Sequence, residues 1–176
     1  MSRLDATLSR IRRCDEWLCL RMNGALRFGR LHRFFRAVSW LGNGIFWYSL
    51  MLALLAQRGA EAAGPVLHMA AVGLAGTLVY AALKRGTVRP RPYQVMPAIA
   101  AGALPLDAYS FPSGHTLHAV AFTIVASSYY PALTELLAAF TALTAASRVA
   151  LGLHYPSDVL AGAAVGGGLA AASFWI

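Results

Sequence analysis

From residue 37 to residue 57 the chain carries no Asp, Glu, Lys or Arg. A helix over that stretch, rising about 1.5 Å per residue, is long enough to cross a hydrocarbon core of about 30 Å. Three more tracts repeat the pattern. Residues 64–83 open on Gly64-Pro65 without a charge, residues 116–147 carry only Glu135, and residues 159–176 carry none. Tyr130-Pro131 breaks the third tract near its middle, which makes it a helical hairpin and brings the expected number of crossings to five. The hairpin arms are short for full spans, which fits polar chemistry held near the membrane surface. With 58% hydrophobic and only 12% charged residues in a chain of 176, the sequence predicts one all-α transmembrane bundle.

The first 36 residues differ in kind. They hold nine arginines against three acids, Asp5, Asp15 and Glu16, while Leu4, Leu8, Ile11, Leu18 and Met22 recur at helical spacing. That pattern predicts an amphipathic helix over residues 1–36, lying in the headgroup layer and preceding a membrane domain over residues 37–176. Asp15, Glu16 and Arg21 interrupt any apolar run that a secretory leader would need. Cys14 and Cys19 match no metal-ligand spacing and too few pairs exist for a disulfide framework, so both are read as apolar fillers. The formal charge of +8 finds its partners in anionic headgroups and an anionic substrate, with no need of nucleic acid.

Three polar islands interrupt the oily tracts. The first is Lys84-Arg85-Gly86-Thr87-Val88-Arg89-Pro90-Arg91-Pro92, at the head of a loop over residues 84–113. Each X-Pro pair there pushes its preceding arginine toward extended backbone, which fixes where the guanidinium points. The second, residues 109–116, contains Pro112-Ser113-Gly114-His115 and reads as a helix start facing an anion, with Pro112 in the first turn. The third holds Ser147-Arg148, His154 and Asp158. Counting crossings puts Lys84 at the end of the second span, His115 at the start of the third, Arg148 at the end of the fourth and His154 to Asp158 at the start of the fifth. All three islands therefore lie on one membrane face. His68, inside the second span, is expected to serve packing or a local hydrogen bond. His118, one turn after His115 and facing a similar direction, is read as helix packing, with support of the site from behind as the alternative. Gly162 and Gly166 with Gly167 and Gly168 give the last helix a smooth surface, used within the bundle or between two copies.

Read in order, the islands give Lys-x6-Arg-Pro, Pro-Ser-Gly-His and Ser-Arg-x5-His-x3-Asp, spanning residues 84–158 without a substitution. This resembles the type 2 phosphatidic acid phosphatase (PAP2) superfamily, which includes membrane lipid phosphatases, soluble acid phosphatases and vanadium haloperoxidases. The resemblance implies that His154 attacks phosphorus and becomes a phosphohistidine, with Asp158 accepting its ring N–H. It implies that His115 protonates the leaving oxygen and then activates water, while Lys84, Arg91, Arg148, Ser113 and Gly114 hold the phosphoryl oxygens. No metal or other cofactor is called for, since Asp107 and Asp158 are the only acids near the islands and three fixed cations stand where metal ions would. Vanadate would fit the same anion pocket, but a compact five-span chain suits lipid substrates.

Among these, polyprenyl (undecaprenyl) diphosphate ranks narrowly before phosphatidylglycerophosphate and phosphatidate. A phosphotransferase passing phosphate to a second lipid, or a lipid-binding protein that kept the fold, are the competing classes. The expected location is the bacterial inner membrane. Fourteen of the fifteen basic residues fall on the face of the islands, with Arg58 opposite, and the positive-inside rule makes that face cytoplasmic. Many proteins of the family work from the other side, so charge and resemblance point to opposite faces.

Overall fold

A computed structural model describes residues 3–105 and 107–175, with the side chains of Arg3 and Leu4 outside that description. Its regular elements among those residues are all helices: α1 (Arg3–Gly24), α2 (Gly29–Trp40), α3 (Phe46–Arg58), α4 (Ala63–Thr87), the single turn α5 (Pro92–Val95), α6 (Gly114–Tyr129), α7 (Thr134–Ala150) and α8 (Pro156–Ser173). The five expected crossings correspond to α2 with α3, then α4, α6, α7 and α8. Two helical stretches, Gly29–Val95 and Pro131–Ala150, are by themselves long and apolar enough to cross a bilayer. At 16 residues, α6 spans only about 24 Å, as expected of a hairpin arm whose start lies at the membrane surface.

Helix α6 is the central element, packed against α4, α7 and α8. Trp47, Met69, Phe122, Val125, Leu137 and Phe140 fill the bundle between them, with Phe46 stacked on Phe140 at 3.9 Å. Outward, Tyr48, Leu52, Leu67, Leu74, Leu78, Leu136 and Leu160 are all exposed. So much apolar surface is a liability in water and the natural outer face of a membrane bundle. His68 holds the far end together, Nδ1 lying 2.9 Å from the Tyr129 hydroxyl and Nε2 2.7 Å from Ser173 Oγ. It thus makes the local hydrogen bonds expected of it.

Two glycines of α8, Gly162 and Gly166, serve close packing within the bundle. A Cβ on Gly162 would lie 2.5 Å from the Ser113 carbonyl oxygen, and one on Gly166 would lie 2.2 Å from that of Leu117. Both obstacles are backbone, so a side chain there must push α8 away from α6. Gly166→Ala is expected to destabilise the protein by about 1–3 kcal/mol, overpacking outweighing the gain of about 1 kcal/mol in helix propensity. Thermal unfolding in detergent reads the difference, with Gly168→Ala, where no atom lies within 4 Å, as the control.

The N-terminal region departs from the single surface helix expected over residues 1–36. A tight turn at Ala25–Arg27 divides it, and α2 then runs across residue 36 without a break. The first span is also bent. A π-helical turn at Leu41–Ile45 separates α2 from α3, with Gly44 at φ 109°, a left-handed value that favours glycine. Leu8 and Ile11 of the predicted apolar stripe are exposed, while Asp15, Cys19 and Asn23, at successive turns, are buried.

Those three residues tie α1 to the loops at one end of the bundle. Asp15 accepts from the Ser157 amide at 2.9 Å, the Ser157 hydroxyl at 2.5 Å and Arg89 Nη2 at 2.9 Å. Cys19 Sγ lies 3.8 Å from the His154 carbonyl oxygen, and the Asn23 amide bridges Ala100 and Ala150 at 2.9–3.0 Å. Helix α1 is therefore a splint across the polar islands, docked by polar groups rather than by its leucines. Asp15→Ala strips one partner from a largely buried ion pair and is expected to cost about 3 kcal/mol of stability, measured as a lowered unfolding temperature. A basic segment merely resting on lipid would leave that temperature unchanged.

Candidate active site

Lys84, Arg91, Gly114, His115, Arg148 and His154 line a single cavity of about 460 Å³. Each is placed by a helix end or by the turn beside one. Lys84 lies near the C-terminus of α4, and Arg91 precedes α5, whose Pro92 takes the first helical position. Gly114 and His115 open α6, in the turn whose amides have no partner within the helix. Pro112 stands before that helix rather than in its first turn, after a cis Phe111–Pro112 peptide, and Ser113 is the cap. Arg148 lies in the last turn of α7. His154 follows Gly152, whose φ of 71° and tight approach to Ile99 and Ala100 suit the sharp turn between α7 and α8.

His154 is buried, and its ring is oriented by the backbone. Nδ1 lies 2.6 Å from the Ser110 carbonyl oxygen and donates to it, which leaves the lone pair on Nε2. Arg91 Nη1 lies 3.3 Å from that Nε2. The carboxylate of Asp158 is 3.8 Å from Nδ1, too far for a hydrogen bond. Asp158 instead accepts from Arg89 Nη1 at 2.6 Å and from the Tyr155 amide at 2.8 Å. The partner expected for the ring N–H is thus replaced by a carbonyl, because the helix carrying Asp158 starts only at Pro156 and its carboxylate turns back to cap that start. Burial pushes the His154 pKa well below the usual imidazole value, and the charges of Arg148, Arg91 and Lys84 push it further. The ring is neutral near neutral pH, the state in which Nε2 is a nucleophile.

Ser113 and Asp158 are buried beside the cavity without lining it. The Ser113 amide donates to the Asp158 backbone carbonyl at 3.0 Å, and its hydroxyl pairs with that of Thr116 at 3.0 Å. The amide is therefore used to join α6 to α8, and the hydroxyl is held within the first turn of α6. His118 lines the cavity, with Nδ1 2.8 Å from the Gly114 carbonyl and Nε2 3.0 Å from that of Gly73.

Several residues of the site carry no motif. Asn43, in the bent turn between α2 and α3, accepts from His115 Nε2 through Oδ1 and so fixes that ring. Ser39 of α2 accepts from Arg148 Nη1. Arg148 Nε, fully buried, has no hydrogen-bond partner. Asp107 receives Lys84 Nζ at 2.5 Å and Arg91 Nη2 at 2.8 Å. Burial alone would raise its pKa, but the hydrogen bond and charge of Lys84, joined by Arg91, outweigh that and lower it. Arg89, in the first island, turns away from the cavity to bind Asp15, Ser157 and Asp158, its guanidinium 4.0 Å over the Tyr155 ring.

From this polar end the cavity continues between α3 and α4 toward Met51, Ala70, Leu74 and Phe122. A charged cradle opening on an apolar slot suits an anionic headgroup with a hydrocarbon tail.

The comparisons with known proteins agree with this architecture. LpxE from Aquifex aeolicus is 26% identical and superposes with a TM-score of 0.78, over 90% of this chain and 93% of that one. A transmembrane PAP2-type phosphatidylglycerolphosphate phosphatase from Bacillus subtilis gives a TM-score of 0.78 at 23% identity, over 94% of this chain and 85% of its own. Comparison with curated protein sequences gives no match. The family model of the PAP2 superfamily matches residues 64–176, which takes in all three polar islands, and the chain belongs to that superfamily.

Proposed function

We propose that the protein is an integral-membrane phosphatase of lipid phosphomonoesters or diphosphates that works through a phosphohistidine at His154. The observation that carries the reading is the placement of the His154 Nε2 lone pair. It faces Arg91 inside a cavity that Lys84 and Arg148 also line and that leads to an apolar slot.

The reaction follows from those positions. Nε2 attacks phosphorus while the bond to the leaving oxygen breaks, and the positive charge gained by the ring is shared through Nδ1–H with the Ser110 carbonyl. His115 gives the leaving alkoxide, or lipid phosphate in the case of a diphosphate, its proton. Water then attacks the phosphohistidine, His115 takes the proton, the P–N bond breaks and inorganic phosphate leaves with His154 neutral again. Lys84, Arg91 and Arg148 balance the charge on the three equatorial oxygens. Among the described residues no three His, Cys, Asp or Glu groups come together as a metal site requires, and the fixed cations supply the electrostatic part of the chemistry in our proposal.

Polyprenyl diphosphate, phosphatidylglycerophosphate and phosphatidate form the substrate panel, with polyprenyl diphosphate first. The protein in detergent is expected to release phosphate from at least one of them in the presence of EDTA. Strict dependence on an added divalent metal would overturn the metal-free mechanism. Transfer of the phosphate to a second lipid, with none released, would make the protein a phosphotransferase.

A further inference from the structure

The anion cradle already contains an anion of the protein's own. Asp107 lies in the loop between α5 and α6, its side chain 36% exposed and its Oδ1 shared by Lys84 and Arg91. Its backbone carbonyl also accepts from Arg91 Nε at 3.2 Å and Nη2 at 3.1 Å. Arg91 Nη1 is directed to the Leu153 carbonyl at 2.7 Å and to His154 Nε2. All five N–H groups of Arg91 are thereby engaged within the protein. A phosphoryl oxygen gains the guanidinium only by displacing a group already there, and the part-exposed carboxylate is the one free to leave.

That exchange depends on charge. A phosphodiester brings one negative charge and removes one, so Lys84 and Arg91 gain nothing by it. A monoester or a terminal diphosphate brings two, and the second is a net gain beside three cations. The distinction matters in a bilayer, where phosphodiester headgroups surround the enzyme in great excess and would fill a bare cationic pocket. We infer that Asp107 is a specificity-determining counter-ion, excluding phosphodiester headgroups from the cradle and admitting phosphoryl groups with two negative charges. The inference rests on the phosphatase reading and defines its substrate class by charge.

Binding, not turnover, tests it. The purified full chain is titrated with inorganic phosphate and with dimethyl phosphate, well above the second ionisation of phosphate, and stabilisation against heat gives each affinity. In the wild type, dimethyl phosphate is expected to bind at least about tenfold more weakly than inorganic phosphate. In Asp107→Asn and Asp107→Ser, dimethyl phosphate is expected to bind about tenfold more tightly than in the wild type. Equal affinities in the wild type would overturn the inference without recourse to any variant. Unchanged or weaker dimethyl phosphate binding in the variants would do so too, and would make Asp107 a group that holds Lys84 and Arg91 in place. Failure of the phosphatase reading shows separately, as phosphate binding without turnover of any lipid phosphate.

Discussion

His154→Ala is expected to reduce phosphate release from every lipid phosphate by at least about 10⁴-fold, to the level of buffer. The size of the loss follows from what the ring supplies. The Nε2 lone pair lies 3.3 Å from Arg91 Nη1 in the cavity that Lys84 and Arg148 also line, and the carbonyl of Ser110 fixes that lone pair on Nε2. Removal of the nucleophile eliminates the covalent route, whereas loss of a single cradle cation costs about 10²–10³-fold. Folding is not at stake to the same degree, since the side-chain hydrogen bonds of His154 end on Ser110 and Arg91, while α1 holds its backbone carbonyl through Cys19. Quenching a reaction of labelled substrate in base should trap an acid-labile phosphoryl group on the wild type and none on the variant. Persistent turnover by a folded His154→Ala protein would send the phosphate through some other nucleophile and end the phosphohistidine mechanism.

The Ser110 and Asp158 results show where sequence reading reaches its limit. The six predicted residues that line the cavity were legible because each sits at a helix end or beside one, and hydropathy alone places the helix ends on one face. Spacing could not report what orients His154. The acceptor is a backbone carbonyl from a loop, and Ser110 offers it irrespective of its side chain. Asp158 has the type and spacing of a ring partner, yet its carboxylate serves the start of α8 and Arg89. Asn43 and Ser39 did leave a trace, as polar side chains in a tract free of charge, Asn43 between two glycines. Asp107 left one too, being the only acid between Glu61 and Glu135 and lying in a loop rich in arginine. What hid them was distance along the chain, since Asn43 is 72 residues from His115 and Ser39 is 109 from Arg148. The splint role of α1 was hidden by its composition. Eight arginines of α1, the turn after it and α2 are exposed and dominate the pattern, whereas the polar contacts that dock α1 come from one acid, one thiol and one amide, with Met22 packed beside them.

His115→Ala separates the two steps of the reaction and is expected to behave differently with the leaving group. A lipid alkoxide is a poor leaving group, so loss of its proton donor should slow hydrolysis of an alkyl phosphomonoester by about 10²–10⁴-fold. An aryl phosphate releases a stable phenolate and needs no proton, so His154 should still attack it in the variant. Water attack on the resulting phosphohistidine then lacks its base. The expected record is a burst of phenolate approaching one per active site, followed by turnover at least about 10²-fold slower than the wild type, with labelled phosphoenzyme accumulating. Asn43 supports this assignment because its amide holds the His115 ring from the side of α3, while α6 fixes its backbone beside Gly114. Asn43→Ala, which frees the ring but leaves the imidazole in place, should show the same leaving-group dependence in weaker form. Equal losses on alkyl and aryl phosphates, without a burst, would mean that His115 shapes the cradle and moves no proton. The proton carrier would then have to be sought in His118, whose ring lines the same cavity one turn deeper along α6.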